Sequence, residues 1–432
     1  MKLSRIFWIL ITPVSCLITD ATDAASGPGS KIQYSPQASF ISFRTDINPA
    51  LLYWQAFAVM PDLSPDDQKH LFESEWRNRP VDERAGELAA RFDGTFRLIR
   101  QASSSRVPCD WGVDLSEGPH ALLPHLAKAK RCAQAATLRA RWFLQHNKAE
   151  EARADLVAAF VLGRNVATDQ VLISGLVQIA IENIISGHLV QQWPELPPET
   201  IKSILTEFDQ APARVTMAAC MRTEKLAFHD WLIRRIEELQ AKYPDADEKA
   251  LETISALLDG LTSEESQRRS GFGVEVLEAA GNSTARLLQY VRQMAPLYDE
   301  VGGAMKLPYA KYQPVIEELH KRITANPNLL VREFFPAVFK VRLKEFRVTA
   351  RLAMLRAAYQ YRVDPANGLK QMQDPFGTGP FESSRFVLDG VDRGFKLRSQ
   401  LKMADFDEVL IFAEKPGPAF YIDGPKAGQK VP

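Results

Sequence analysis

Residues 139–164 read RARWFLQHNKAEEARADLVAAFVLGR and give the clearest indication of the fold. Apolar residues lead into a polar turn at residues 146–148 and then recur at helical spacing, with Leu156 and Phe160 on one face. Alanines on both arms would let the two backbones approach each other closely. The stretch therefore predicts a tight antiparallel pair of helices.

The spacing of apolar residues stays helical on both sides of this hairpin. Prolines, glycines and capping residues divide the region into predicted helices at about 49–59, 64–80, 81–101, 120–146, 171–190, 199–209, 212–242, 245–258, 285–305, 309–325 and 336–361. The hairpin pattern does not recur at a fixed period, as it would in a solenoid of repeats. We therefore expect a mainly α protein, an irregular array of antiparallel helical hairpins. The glycine-rich segment 262–283 is expected to be mobile.

The first residues have the layout of a bacterial-type signal peptide. Lys2 and Arg5 precede the apolar run 6–18, and small residues follow at 19–26. The run is shorter than the roughly 20 residues that a membrane-spanning helix requires. We expect a cleaved signal, with a retained anchor and lipidation at Cys16 as alternatives, and hence an exported protein, periplasmic or extracellular.

The pattern changes after Asp364, where proline, glycine and aromatic residues become more frequent. Alternation of apolar and polar residues predicts short strands at 385–388, 395–401 and 409–412. We expect these strands to form a small C-terminal β appendage. The predicted domain order is a signal peptide at 1–24, a linker at 25–45, a helical domain at 46–362, the small β-containing appendage at 363–414 and a flexible tail at 415–432.

The chain of 432 residues has 53 basic and 53 acidic side chains and therefore no net charge. No long-range field attracts it to nucleic acid or to an anionic membrane surface. The most apolar internal stretch, 171–190, is long enough to span a membrane, but Glu182 near its centre offsets most of the gain in insertion free energy. We expect a buried core helix there, and no stable membrane span after signal cleavage.

Three cysteines, Cys109, Cys132 and Cys220, would remain in the mature chain. An odd number argues against a complete disulfide framework. One bond between Cys109 and Cys132 is compatible with an oxidising compartment. The alternative is three buried thiols that act as small apolar side chains.

The densest group of reactive side chains is CDWGVD at 109–114, followed by His120 and His125. Thiolate, carboxylate and imidazole groups are the usual metal ligands. The spacing matches no known closed metal site, and there is no Cys-x-x-Cys pair. We therefore favour backbone hydrogen bonding in turns for Asp110 and Asp114, and predict neither a metal nor a cofactor.

Two carboxylates lie in apolar surroundings. Glu182 lies among isoleucines, and Glu224 shares a helical face with Met217 and Cys220. A buried carboxylate must be paired or protonated, and perturbed carboxylates sometimes mark functional sites. A structural ion pair between core helices is the favoured interpretation. The possible partners are Arg139, Arg141, Arg164 and Arg222.

Several motifs resemble a group of large exported bacterial helical proteins: CDWGVD at 109–114, Gly118-Pro119, LPHL at 123–126 and the hairpin from Arg139. The resemblance implies export and a helical architecture, and it implies no reaction.

The C-terminal region is similar to the same group through the helix at 350–361, DPFG at 374–377 and GFKLRS at 394–399. That segment of the group is itself similar to the carboxyl end of type II secretion pseudopilins. Here VDPA at 363–366 replaces the usual Gly-x-Tyr-Pro, and the usual terminal acidic-glycine run is missing. Neither a calcium site nor filament assembly is therefore implied.

Two functions follow as hypotheses. A neutral chain with close-packed hairpins and no catalytic signature favours an exported scaffold that binds a protein of the cell envelope. The alternative is an exported hydrolase with a carboxylate and histidine site in a cleft between helices. Its candidate residues are Asp110, Asp114, His125, Glu182 and Glu224. Carboxylates closed off by arginines would favour the scaffold, and carboxylates that share an open pocket would favour the enzyme.

Cleavage of the signal peptide is the first testable prediction. The charged start, the apolar run and the small residues place the cut between Ala21 and Ser26. N-terminal sequencing of protein extracted from the cell envelope should give a start within this window. An intact Met1 on cytoplasmic protein would contradict export.

Overall fold

A computed structural model describes residues 46–72, 81–261, 271–388, 390–402 and 407–415 of the protein. The predicted mainly helical fold with a small C-terminal sheet is confirmed. The α-helices are α1 (Pro49–Ala58), α2 (Pro65–Phe72), α3 (Glu83–Ala90), α4 (Asp93–Ser103), α5 (Pro124–Gln145), α6 (Ala149–Asn165), α7 (Leu172–Gln191), α8 (Pro198–Gln210), α9 (Met217–Glu224), α10 (Trp231–Lys242), α11 (Asp247–Leu261), α12 (Phe272–Ala279), α13 (Thr284–Arg292), α14 (Ala295–Met305), α15 (Tyr309–Thr324), α16 (Leu329–Phe334) and α17 (Phe339–Val363). Short 3₁₀ helices cover Gly118–His120, Pro336–Val338 and Gly368–Gln371, and a π-helical segment covers Lys225–Asp230.

The predicted hairpin is the α5–α6 pair, which makes the most extensive helix–helix contact among the described residues. The Lys148 amide closes the turn by donating to the Phe143 carbonyl over 2.8 Å, and Asn147 takes a left-handed conformation with φ 58°. Asparagine tolerates that conformation better than most residues. Small side chains along both helices are completely buried, namely Ala129, Ala133, Ala136, Ala140, Ala152 and Ala159.

The prediction of one helix over 81–101 is wrong, because the chain breaks into α3 and α4 at Phe92. Phe92 is completely buried and has a non-helical backbone, with φ −89° and ψ 3°. Arg139 of α5 donates to the Ala89 carbonyl over 2.6 Å and also contacts Asp93. A side chain from another helix thus satisfies a carbonyl at the break, which no local pattern reveals.

Three other helix boundaries differ from those predicted from the sequence. Helix α5 begins at Pro124 rather than near His120, because proline favours the first helical position and disfavours helical conformation in the residue before it. The helix predicted over 212–242 begins only at Met217, after an N-capping threonine. The helix predicted over 285–305 is divided into α13 and α14.

Part of the segment 262–283, which we expected to be mobile, is helix α12. This helix packs on α11, where the Gly273 amide donates to Asp259 Oδ1 over 2.8 Å. A Cβ added at Gly273 would lie 2.2 Å from the Ser255 carbonyl oxygen, so the two helices are in close contact. Residues 272–279 thus form a packed helix, and the mobility of the segment stays a prediction. Residues 262–270, like the predicted signal peptide, the linker and the tail after residue 415, lie outside the described residues.

Helix α7 contacts α5, α6, α9 and α17. Over the part of the chain that the structure describes, it is the one helix long and apolar enough to cross a membrane by length and composition. Inside the protein, 61% of that apolar window is buried. Its polar residues Gln178, Glu182 and His188 are buried as well. Buried core helices also meet these criteria of length and composition. The contacts of α7 with four other helices are those of the core helix that the sequence predicts.

A three-stranded antiparallel sheet follows the last helix, in the order β1 (Glu382–Leu388), β2 (Val391–Lys402) and β3 (Asp407–Ala413). The three strands contain the three predicted segments. The sheet packs on α17, where Glu408 of β3 lies 2.7 Å from Arg347 and 2.5 Å from Arg351. Glu408 is almost completely buried, so these ion pairs attach the sheet to the helical array.

Cys109, Cys132 and Cys220 are free, buried thiols. The alternative of a Cys109–Cys132 disulfide bond is therefore wrong in this structure. Burial raises the pKa of the Cys109 and Cys220 thiols to about 12. At neutral pH both thiols are protonated and act as small apolar groups.

The close contact of α6 with α7 generates a matched pair of substitutions. A Cβ added at Gly163 would lie 2.6 Å from Ile181 Cγ2 and 3.1 Å from Ile181 Cβ. Ile181 is completely buried, and its β-branched side chain has few alternative rotamers with which to avoid the new methyl group. Gly163→Ala should therefore lower the free energy of unfolding by about 1–3 kcal/mol. At Gly187 of α7 an added Cβ meets nothing within 4 Å. Gly187→Ala should therefore stabilise the protein by up to about 1 kcal/mol through helix propensity.

Urea unfolding of both glycine variants measures the two free energies. Equal changes in the two variants would contradict the close packing of α6 on α7.

Candidate functional site

Glu182 is the centre of a buried ion-pair cluster between α6, α7 and α17. Its carboxylate is completely buried, with Oε1 2.8 Å from Arg164 Nε and Oε2 2.5 Å from Arg214 Nη2. Arg214 also donates from Nη1 to Thr349 Oγ1 of α17 over 2.7 Å. Two guanidinium groups therefore close off both carboxylate oxygens, and the expectation of a buried, arginine-paired Glu182 is confirmed.

The arginines of this cluster are themselves mostly buried, with side chains that are 11% exposed for Arg164 and 14% exposed for Arg214. Burial lowers the pKa of Arg164 to about 10, so the guanidinium stays charged at neutral pH. Among the partners considered from sequence, Arg164 is correct, whereas Arg139 pairs with Asp155 at 2.7 Å. Sequence reasoning missed Arg214, because it assigned this non-helical segment to a helix.

Asp110 and Asp114 are exposed turn residues. Asp110 Oδ1 accepts a hydrogen bond from the Gly112 amide over 2.9 Å, and Asp114 Oδ1 accepts one from the Ser116 amide over 2.8 Å. The hydrogen bonds from Ser116 lower the pKa of the Asp114 carboxyl. These local contacts are typical of turns. Among the described residues, no hydrogen bond or ion pair joins either carboxylate to another candidate residue.

His125 belongs to an aromatic cluster. Its buried ring stacks on Trp111 with centroids 4.5 Å apart and meets Trp54 edge-on at 6.1 Å. Burial lowers the pKa of His125 to about 4, so the ring is neutral at pH 7. Asp169 Oδ2 lies 3.7 Å from His125 Nε2, beyond hydrogen-bond distance, and accepts instead from Ser174 Oγ over 2.9 Å. Sequence reasoning missed Asp169 because it lies outside every motif considered.

Glu224 is half-buried, and its carboxyl has neither a hydrogen bond nor an ion pair with the described residues. Burial raises the pKa of its carboxyl. Nearby, His229 Nδ1 lies 2.6 Å from Asp230 Oδ1, and the buried His229 Nε2 has no hydrogen-bond partner within the described part. The Tyr298 ring of α14 has its centroid 6.2 Å from that of His229. Burial, and secondarily the charge of Glu224, raises the pKa of the Tyr298 hydroxyl.

The π-helical segment Lys225–Asp230 brings these groups together. Residues five apart lie on different sides of an α-helix, which has 3.6 residues per turn. The i→i+5 hydrogen bonding of a π-helix reduces the angle between residues five apart, such as Glu224 and His229, and Tyr298 packs beside His229. Single-turn π segments are frequent at functional sites. Sequence reasoning missed Tyr298, because its place beside His229 depends on the packing of α14.

We call Glu224, His229, Asp230 and Tyr298 the π-helix cluster. A protonatable carboxyl, an imidazole held by a carboxylate and a phenol are groups that act in general acid–base catalysis. In the described ranges, no three His, Cys, Asp or Glu side chains are arranged to hold a metal ion. The cluster thus contains the kinds of group that move protons.

A groove of about 570 Å³ lies between α11 and α12. Leu251, Val274 and Leu277 provide its apolar part, and the exposed Glu248 and Glu252 stand on its rim. The remaining lining residues are Asp247, Ser255, Ala256, Asp259 and Asn282. None of the five residues predicted for a site lines this groove.

Comparison of the chain with models of known families, with curated proteins and with solved structures finds no match. The resemblance to exported helical proteins therefore stays a prediction. The features that bear on function are the geometry of the ion pairs, the π-helix cluster and the groove.

Removal of the Glu182 carboxylate charge should cause a large loss of stability. Glu182→Gln should lower the free energy of unfolding by about 3–5 kcal/mol, because it leaves two buried arginines without a counter-charge. The matched control is Glu150→Gln, since Glu150 pairs with Arg153 at the surface and is 67% exposed. The control should lose less than about 1 kcal/mol. Similar losses in urea unfolding at pH 7 would contradict a special role for the buried cluster.

Glu224→Gln should behave in the opposite way. Burial raises the folded-state pKa of this carboxyl above its ordinary value of 4.5. The ionised carboxylate therefore costs no stability below that ordinary value and costs stability as the pH rises through the folded-state pKa. Relative to wild type, the variant should gain melting temperature as the pH rises above about 4.5. A difference in melting temperature that does not change with pH would contradict a raised pKa for this carboxyl.

Proposed function

We propose that the protein is an exported α-helical scaffold that binds another protein of the cell envelope. The supporting observation is that three buried carboxylates are taken up by ion pairs inside the protein. Asp155, Glu182 and Glu408 are each ion-paired with two arginines and are almost completely buried. A carboxylate enclosed in this way has no free oxygen to offer to water or substrate.

These ion pairs connect parts of the fold that are distant in the chain. Asp155 of α6 binds Arg100 of α4 and Arg139 of α5, and Glu408 of β3 binds two arginines of α17. Each carboxylate therefore holds neighbouring elements in one relative position. A surface fixed in this way loses little conformational entropy when a partner binds, which favours a binding role.

An exported hydrolase is the second candidate, and the π-helix cluster is the observation that favours it. Asp230 holds Nδ1 of His229, and Nε2 has no partner in the described part of the chain. For hydrolysis, His229 would take a proton from the attacking water at Nε2, and Glu224, when protonated, would give one to the leaving group. The other candidate residues take no part in this site, namely Asp110, Asp114, His125 and Glu182.

Chemical cross-linking in cells, followed by purification of the tagged chain from the envelope, tests the scaffold function. We expect one protein to co-purify in near-stoichiometric amount with wild type. Glu224→Gln should retain the same partner, because the π-helix cluster is not needed for binding. An unrelated exported helical protein with the same tag is the control for capture by the tag.

Recovery of the chain without a stoichiometric partner would contradict the scaffold function. Hydrolysis of peptide or ester substrates by the purified chain, lost in both Glu224→Gln and His229→Gln, would establish the hydrolase instead.

A further inference from the structure

One face of α11 forms a side of the α11–α12 groove along almost the whole helix. The lining residues of this helix recur at helical spacing from Asp247 to Asp259. At 1.5 Å per residue these twelve steps span about 18 Å, or roughly three helical turns. The opposite side is formed by Val274 and Leu277 of α12. The length of the groove matches a helical segment of a partner.

The two helices carry an excess of negative charge although the whole chain is neutral. Helix α11 has four acidic residues and one lysine, and α12 has two acidic residues and no basic residue. Asp247 and Asp259 accept hydrogen bonds within the protein. Glu248 and Glu252 are exposed and have no partner among the described residues. Charge complementarity at the groove therefore requires a cationic partner.

The apolar part of the groove and the spacing of its rim charges define the partner further. Val274 is 50% exposed and presents an apolar side chain to solvent. Glu248 and Glu252 are four residues apart, one helical turn, which is also the spacing of neighbouring lysines on one face of a partner helix. An amphipathic helix can offer both an apolar stripe and such a row of positive charges. A second copy of this chain would place acidic faces against each other and does not fit.

We propose that the α11–α12 groove binds a basic amphipathic helix of a partner protein. This inference rests on the proposed scaffold function and names the surface and the chemistry of its partner. The partner helix places its apolar stripe on Val274 and Leu277 and its lysine or arginine side chains on Glu248 and Glu252.

A synthetic 18-residue helical peptide of leucine and lysine, with leucines at i, i+3, i+4 and i+7 and lysines four residues apart, is the probe. Fluorescence anisotropy with the purified chain measures its affinity near physiological salt. The double variant E248K/E252K should bind the peptide at least about 10-fold more weakly, since two attractive contacts become repulsive. Glu248→Gln with Glu252→Gln, a milder change, should weaken binding by a smaller factor.

The matched control is E83K/E87K. Glu83 and Glu87 are exposed, four residues apart, and begin in the first turn of α3, as Glu248 does in α11. This control should bind within about 2-fold of wild type, because its charges lie outside the groove. Val274→Ser, at a half-exposed position, should weaken binding about 5-fold through loss of apolar contact.

Several results would overturn the proposal. Equal weakening by the α3 control, or equal binding of a peptide with the same composition in scrambled order, would show non-specific attraction only. Self-association of the wild-type chain that E248K/E252K abolishes would place a second copy in the groove.

Cross-linking in cells separates the two proposals. A partner that still cross-links to E248K/E252K would overturn the groove and leave the scaffold function intact. Absence of any partner for wild type would overturn the scaffold function, and with it the groove as its binding surface.

Discussion

The burial of Glu182 in the most apolar helix is the constraint on which the helical array depends. A carboxylate removed from water costs several kcal/mol unless cations and hydrogen bonds compensate it. Here the compensation comes from Arg164 of α6 and from Arg214 in the segment before α9, and Thr349 of α17 binds Arg214 in turn. Helices α6, α7 and α17 and the segment before α9 therefore meet at this ion-pair cluster. Moving any of them would expose a buried charge or leave it without its partner.

Arginine pairing of buried carboxylates recurs in other parts of the fold. Asp155 joins α6 to α4 and α5, Glu408 attaches the sheet to α17, and Glu345 of α17 accepts from the Met217 amide at the start of α9, where negative charge is favoured. Glu224 differs from these carboxylates, because it is half-buried, has no partner in the described chain and borders a π-helical segment. Unpaired carboxyls in irregular helices are a feature of functional sites, which keeps a hydrolase as the second candidate.

Much of the fold could be predicted from local sequence. The α5–α6 hairpin, most other helices and the three strands follow from apolar spacing, which depends on residues within one or two turns of each other. The burial of Glu182 was predictable for the same reason, since its apolar neighbours along the helix require an interior position. Turn hydrogen bonding of Asp110 and Asp114 was also predictable, because aspartate side chains bond to amides two residues away.

Tertiary structure decided the features that depend on residues far apart in the chain. Arg214 lies 32 positions from Glu182, in a non-helical segment that no periodicity marks as its partner. Arg139 from α5 binds the Ala89 carbonyl at the break between α3 and α4, and the place of Tyr298 beside His229 depends on the packing of α14. By itself the sequence determined which segments are helices and strands and that Glu182 is buried, because those properties are local. Only the packed chain decided which charges meet and where the acidic groove forms, because both depend on long-range contacts.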